Sequence, residues 1–269
     1  MIYGASAKAS TQVMCHMANL PRMEDRVTIL QAKFILRAHN QPSDSLLHQL
    51  RQIITPKRTG TSSWRSLLQN NIIWMDLPSP RSNTNRNQMK GAIRTFLHNR
   101  LQIYKARRGT KLLNACRPFN GIDPILWLPM SINERSRCVR WRIGWLPGGK
   151  PKPCPRCREQ KGTVRNHLIH CLNMHARLKI SNHIEDPLSW ILNRLPKTRP
   201  RRSNTRHYWC SIWPAVCLIL DDLENIQHPE YEPQSIYSED PPGHRLVQWL
   251  SQESTAIPSP SDSSQTASR

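Results

Sequence analysis

Three cysteines and one histidine lie within eighteen residues, and they constrain the fold more than any other feature of the chain. Cys154 and Cys157 have C-x2-C spacing, which lets two thiolates point at one ion from a tight turn. His167 and Cys171 follow four residues apart, so one helix face can present both side chains. Three thiolates and one imidazole complete a tetrahedral zinc site and leave no open position. The spacing therefore predicts one structural Zn²⁺ bound by these four residues.

The histidine ligand has alternatives. His167 is the first choice because its spacing from Cys171 is that of one helical turn. His175 has the same spacing on the other side of Cys171 and is the second choice. His170 directly precedes Cys171, and that spacing is unsuitable for sharing an ion. We therefore expect His167 to complete the site, with His175 as the fallback.

The other cysteines lie in apolar helical contexts, and we expect them to pack as small hydrophobic side chains. They are Cys15, Cys116, Cys138, Cys210 and Cys217. The first residues lack the basic, apolar and small-residue order of a signal peptide, and no segment is apolar over the length that spans a bilayer. We expect an intracellular protein, located in the nucleus, whose thiols stay reduced.

Positive charge is concentrated in the middle of the chain. The formal net charge is +21, and the stretch from Arg81 to Cys210 contains 28 Lys and Arg against 5 Asp and Glu. Such a density attracts polyanions and can neutralise several phosphates with release of counterions. RNA or DNA is therefore the expected partner, and neither a membrane nor a small-molecule substrate is expected. The residues expected to contact phosphates are Arg140, Arg142, Lys152, Arg156, Arg158, Lys161 and Arg165.

Two tryptophans, Trp141 and Trp145, stand one helical turn apart beside arginines. Such a pair could stack on unpaired bases. More often it anchors a core against which a small zinc module packs, and we favour that interpretation.

Apolar residues recur near a 3.6-residue period, and few strand patterns occur, which predicts a mainly α fold. Ser131 and Glu134 have the spacing of a capping box at a helix start. Predicted helices cover 11–54 with breaks near 20–21 and 41–44, then 62–69, 87–108, 131–143, 187–195 and 207–226.

The expected architecture is an irregular helical bundle with an embedded small CCHC zinc module and a disordered C-terminal tail. Composition and helix breaks divide the chain into five regions. They are an N-terminal helical region (1–78), a basic helical region (79–149), the zinc module (150–180), a C-terminal helical region (181–250) and the tail (251–269).

No enzymatic motif is evident. Asp221 and Asp222 superficially resemble paired metal-binding aspartates, but adjacent residues on a helix diverge by about 100° and cannot share one ion. A phosphate-binding glycine loop, a G-x-S-x-G turn and an H-E-x-x-H helix are not found. We therefore expect a non-catalytic protein.

The segment Trp141–Pro147 leads into Pro153–Cys157 and then His167–Cys171. This order of motifs resembles the zinc-binding region of fungal non-LTR retrotransposon reverse transcriptases, which lies after the polymerase thumb. The resemblance extends over nearly the whole chain to about residue 230. Its other segments are Met1–Gly4, Ser10–Met14, Leu20–Arg26, Leu30–Phe34, Pro42–Leu47, Trp213–Leu220 and Gln227–His228.

This resemblance implies a region that helps a polymerase hold template RNA and target DNA. The resemblance does not include the fingers and palm of that family, with their catalytic aspartates, so we expect none of that catalytic machinery in this sequence. Many relatives have four rather than three residues between the zinc histidine and the last cysteine. The polymerase core of a related element is a further expected partner. The alternative expectation is a non-functional remnant or a protein-docking module in which zinc is purely a structural staple.

Overall fold

A computed structural model describes residues 10–53, 63–78, 85–148, 152–157, 162–227 and 240–252. Within these ranges the fold is mainly α-helical, as predicted, and the single β feature is an isolated antiparallel bridge between Pro153 and Gly162. The predicted disordered tail lies outside the described residues, apart from its first two positions.

The N-terminal helices follow the breaks predicted from the sequence. They are α1 (Thr11–Met17), α2 (Met23–His39), α3 (Leu46–Ile53), α4 (Ser63–Asn70), α5 (Ile72–Met75) and α6 (Arg86–Lys105). A capping box fixes the start of α6: the Asn85 side chain accepts from the Gln88 backbone, and the Gln88 side chain accepts from the Asn85 N–H at 2.8 Å. Local cap chemistry therefore sets the start of the longest predicted helix near its expected position.

A small hydrophobic core joins α2, α5 and α6 through residues such as Ile35, Ile73 and Phe96. Beside it, the buried Asp25 carboxylate accepts hydrogen bonds from Arg100 Nε at 2.6 Å and from Tyr104 Oη at 2.7 Å. This polar cluster connects the N-terminal turn of α2 to the C-terminal half of α6.

The rest of the chain adds seven helices to the described fold. They are α7 (Lys111–Asn114), α8 (Ile132–Arg142), α9 (Arg165–Cys171), α10 (Met174–Leu178), α11 (Pro187–Asn193), α12 (Ser203–Gln227) and α13 (His244–Ser251), with a 3-10 turn at Pro124–Leu126. Ser131 and Glu134 form the predicted capping box of α8. Helix α12 begins four residues before the helix predicted at 207–226 and continues through Pro214.

A larger core surrounds α12. The Trp213 side chain is fully buried there, and α8 and α13 pack against α12. Val13 of α1 and Leu168 of α9 belong to the same core. Residues from the first four predicted regions therefore share one continuous hydrophobic interior, which includes the helix that carries His167 and Cys171.

Gly243 controls the approach of α13 to this core. Its φ of +81° lies in the left-handed region, and a Cβ added there would lie 2.7 Å from Cδ1 of the buried Trp213 ring. Gly243→Ala should therefore lower the free energy of unfolding by about 2 kcal/mol, because backbone strain adds to overpacking. Urea denaturation would measure this loss.

Gly91→Ala is the matched control for that substitution. Gly91 lies inside α6, and an added Cβ would meet nothing within 4 Å. This change should raise the free energy of unfolding by about 0.5–1 kcal/mol, because alanine favours a helix interior. Equal effects at the two glycines would contradict the packing described for Gly243.

Candidate metal centre

The cysteine cluster is assembled by a turn and a short helix. The turn that carries Cys154 and Cys157 is tied to the chain before α9 by the bridge at Pro153 and by the Thr163 N–H, which donates to the Lys152 carbonyl at 2.8 Å. Thr163 Oγ1 accepts from the Lys152 N–H at 3.2 Å. These contacts hold the turn beside the start of α9. The two cysteines of the turn therefore lie close to His167 and Cys171.

The four predicted ligands converge. Their ligand atoms all lie within 4.8 Å of one another. The sulfur atoms of Cys154 and Cys171 are 3.7 Å apart, and Cys157 Sγ lies 3.5 Å from His167 Nε2. A tetrahedron with Zn–S of about 2.3 Å and Zn–N of about 2.05 Å has edges of about 3.8 Å and about 3.6 Å. The cluster can therefore hold one metal ion.

The fold shifts the pKa values of two thiols in the cluster, which bears on cation binding. Burial opposes ionisation of the Cys154 thiol, but the backbone N–H groups of Cys157 and Arg156 and the His167 side chain lower its pKa to about 6. Burial and the adjacent Cys154 thiolate raise the pKa of Cys171 to about 12. The two shifts have opposite directions, so Cys171 is the thiol of this pair that loses its proton less readily. A bound cation would displace the Cys171 proton, so metal affinity falls as the pH falls.

The structure distinguishes the histidine alternatives. His167 points into the cluster, whereas the His175 side chain is buried, with Nε2 2.8 Å from the Ile184 carbonyl oxygen. His170 is exposed on the outside of α9. His167 is thus the histidine that the fold brings to the three cysteines, and the fallback is not needed.

Arg165 connects α9, the helix that carries His167 and Cys171, to the larger core. Its guanidinium lies 3.8 Å from the centroid of the Trp141 ring and forms an ion pair with Asp186 at 2.7 Å. It also donates to Ser189 Oγ at 2.8 Å, and the Trp141 indole N–H donates to the same oxygen at 3.0 Å. Burial, opposed by Asp186, lowers the pKa of Arg165. Arg165 therefore has a structural role between α8, α9 and α11.

The predicted phosphate contacts separate into different environments. Lys152 and Arg156 are exposed beside the cluster, while Arg158 and Lys161 lie outside the described residues. The assignment of Arg142 to phosphate contact is wrong, because its side chain is 1% exposed and donates to the Ala115 carbonyl at 3.1 Å. The arginine spacing on α8 did not reveal that this side chain faces inward.

Arg140 is also engaged within the fold. It forms an ion pair with Glu224 of α12, which Arg137 contacts as well. Burial opposes ionisation of Glu224, but the two guanidiniums lower its pKa. With Arg140 and Arg165 paired internally, the exposed and described members of the predicted set are Lys152 and Arg156.

The two tryptophans differ. Trp141 is fully buried as a core anchor, as favoured from the sequence, whereas Trp145 is 39% exposed, so the core-anchor prediction is wrong for Trp145. Asp221 pairs with Arg137 at 2.7 Å and Asp222 with Arg177 at 2.6 Å, so the two carboxylates diverge.

The cysteines outside the cluster are free thiols, and three of them, Cys116, Cys138 and Cys217, are buried. Burial raises the pKa of Cys138 to about 12. These three cysteines therefore pack as small hydrophobic groups, as predicted, whereas Cys15 and Cys210 are half-buried.

Comparisons with models of protein families, with curated proteins and with solved structures found no match to this chain. Among the described residues, no helix combines the length and the apolar character that crossing a membrane requires.

Proposed function

We propose that this chain is a zinc-containing, non-catalytic module that binds RNA or DNA through phosphate contacts in the nucleus. The observation that carries the proposal is the convergence of Cys154, Cys157, His167 and Cys171, with ligand atoms within 4.8 Å of one another, beside the exposed side chains of Lys152 and Arg156. The resemblance to the zinc-binding end of non-LTR retrotransposon reverse transcriptases supports the same function.

Zinc is the metal that this donor set suits best. Thiolates are soft ligands that select zinc, copper(I) or iron–sulfur clusters, and a single Cys3His tetrahedron is typical of structural zinc. All four positions are occupied by protein ligands, so the metal would stabilise the turn and α9 rather than activate a water molecule.

Exposed cations elsewhere extend the surface available to a phosphate backbone. Arg86, Lys90 and Arg94 recur every four residues along α6 and are exposed, which places them on one side of that helix. No described carboxylate lies within ion-pair distance of these three side chains. The other exposed cations near the C-terminal end of α6 are Arg107, Arg108 and Lys111.

The test is binding of RNA and DNA oligonucleotides, single- and double-stranded, to the zinc-loaded protein across a salt series. We expect the logarithm of affinity to fall linearly with the logarithm of salt, by roughly 0.7–0.9 per phosphate contact. Lys152→Gln with Arg156→Gln should reduce that slope by roughly 1–2. Arg177→Gln, which removes a cation already paired with Asp222, should leave the slope unchanged.

The second candidate function is a protein-docking module in which the metal only stabilises the fold. It is favoured because Arg140, Arg142 and Arg165 form contacts within the fold and are therefore not available to phosphates. In that case oligonucleotide affinity would be weak at low salt and insensitive to Lys152 and Arg156. Retained zinc together with that result would support the staple in place of nucleic-acid binding.

A further inference from the structure

Helix α2 is apolar on two opposite sides. Ile29, Ala32 and Ile35 face the small core and are buried. On the opposite side of the helix, four large apolar residues are spaced by four, three and four positions, and all are exposed. They form what we call the outer stripe: Met23 (72% exposed), Val27 (46%), Leu30 (49%) and Phe34 (42%).

The spacing of the outer stripe is that of a helix–helix seam. Apolar residues that alternate three and four positions apart present one continuous line to a partner helix. A solvated helix face normally carries polar residues there. Phe34 makes an edge contact with Trp64, with ring centroids 6.0 Å apart, yet stays 42% exposed. The stripe is therefore a contiguous apolar surface, which typically marks an interaction site.

A groove adjoins the stripe at Leu30. It runs between α2 and α6 and has a volume of about 730 Å³. Leu36 of α2 and Met89 and Ile93 of α6 provide apolar side chains to its wall. A partner that covers the stripe could thus insert apolar side chains into a preformed concave surface.

The groove is bordered by cations on both sides. Lys33 and Arg37 lie on α2, and Arg86 and Lys90 face them from α6. None of the described residues that line the groove is acidic. Arg26 is exposed seven positions before Lys33 and extends the basic row along α2. The charge complement of this surface is a row of carboxylates.

We propose that the outer stripe and the groove bind an amphipathic helix of another protein, with an apolar seam flanked by Asp or Glu. A second copy of this chain fits poorly, because it would bring two rows of cations together. A phosphate backbone would satisfy the cations but leave the stripe exposed to water. The inference does not depend on the proposed nucleic-acid function. Arg86 and Lys90 border the groove and also belong to the α6 face offered to phosphates, so an acidic helix and a nucleic acid would compete for these two side chains.

The experiment uses the full chain and a synthetic helical peptide, labelled with a fluorophore, that has leucine at heptad positions a and d and glutamate at e and g. A peptide of the same composition in scrambled order controls for charge attraction alone. Fluorescence anisotropy would measure both affinities. We expect the ordered peptide to bind at least about tenfold more tightly, since its leucines meet the stripe.

Variants of the protein identify the surface. Val27→Gln with Leu30→Gln should weaken the ordered peptide at least about tenfold and leave the scrambled peptide unaffected. Lys33→Gln with Arg37→Gln should weaken binding mainly at low salt. Leu218→Gln, at a position of α12 that is 46% exposed, is the matched control and should change nothing. Circular dichroism would verify that all variants fold.

Three results would overturn the proposal. One is no preference for the ordered peptide, and another is equal binding of that peptide by wild type and the Val27/Leu30 variant. The third is that the peptide does not bind, and that the outer stripe is instead required for self-association or for binding to vesicles. Self-association in sedimentation would then identify a second copy as the occupant, and co-sedimentation with phosphatidylserine vesicles would identify a membrane surface.

Discussion

Cys157→Ser should abolish stoichiometric metal binding and unfold the segment from Lys152 to Cys157, whereas α9 stays packed on the larger core through Leu168. Cys157 is exposed, so the substitution removes a ligand with little loss of packing. Structural zinc contributes about 10–16 kcal/mol of binding free energy that is coupled to folding in small modules. Zinc content by mass spectrometry should fall from about one per chain to near zero, and amide hydrogen exchange in the segment should accelerate by orders of magnitude.

Two controls separate ligand loss from general damage. Cys210→Ser changes a half-buried thiol outside the cluster and should retain the metal. His175→Asn should cost stability, because it disturbs a buried hydrogen bond with the Ile184 carbonyl, yet it should also retain the metal. Zinc that persists in Cys157→Ser, or that disappears in His175→Asn, would contradict the ligand assignment.

The ligand cluster was predictable because its information is local. C-x2-C spacing and the His167–Cys171 turn specify the site within eighteen residues, and the structure brings these atoms within 4.8 Å. The capping box at Ser131 and Glu134 was predictable for the same reason. Within each half of the ligand set, as in the capping box, the paired residues are three or four positions apart, so spacing carries the local geometry. The hydrogen bonds between Lys152 and Thr163 that bring the two halves together could not be read from that spacing.

The direction of individual arginines could not be read from the same sequence. Arg140 is oriented by Glu224 and Arg142 by Asp123, from segments distant in the chain. Helix α13 was also not predicted. The N–H of Gly243, the residue before α13, donates to the Glu134 side chain at 2.7 Å and so connects α13 to α8. These features depend on tertiary contacts, which override local pattern. The density of positive charge in the sequence therefore overestimates the number of cationic side chains that face solvent.

Two buried arginines of the main core depend on one carboxylate, that of Asp123, for charge compensation. Arg142 is 1% exposed and Arg117 is 4% exposed. Asp123 Oδ2 lies 3.7 Å from Arg142 Nη2, and Asp123 also opposes the effect of burial, which lowers the pKa of Arg117. Several nitrogen atoms of both guanidiniums have no hydrogen-bond partner among the described residues. This carboxylate therefore provides charge compensation that hydrogen bonds do not supply.

Asp123→Ala should lower the free energy of unfolding by about 3–5 kcal/mol, because it leaves two buried cations uncompensated. It also removes the side-chain oxygen that accepts from the Ile125 N–H at 3.1 Å and starts the turn into the core. Asp221→Ala removes an exposed ion pair with Arg137 and should cost less than about 1 kcal/mol. Urea denaturation of the zinc-loaded proteins measures both. Similar losses for the two variants would mean that Asp123 does not compensate the buried arginines, and that water reaches them instead.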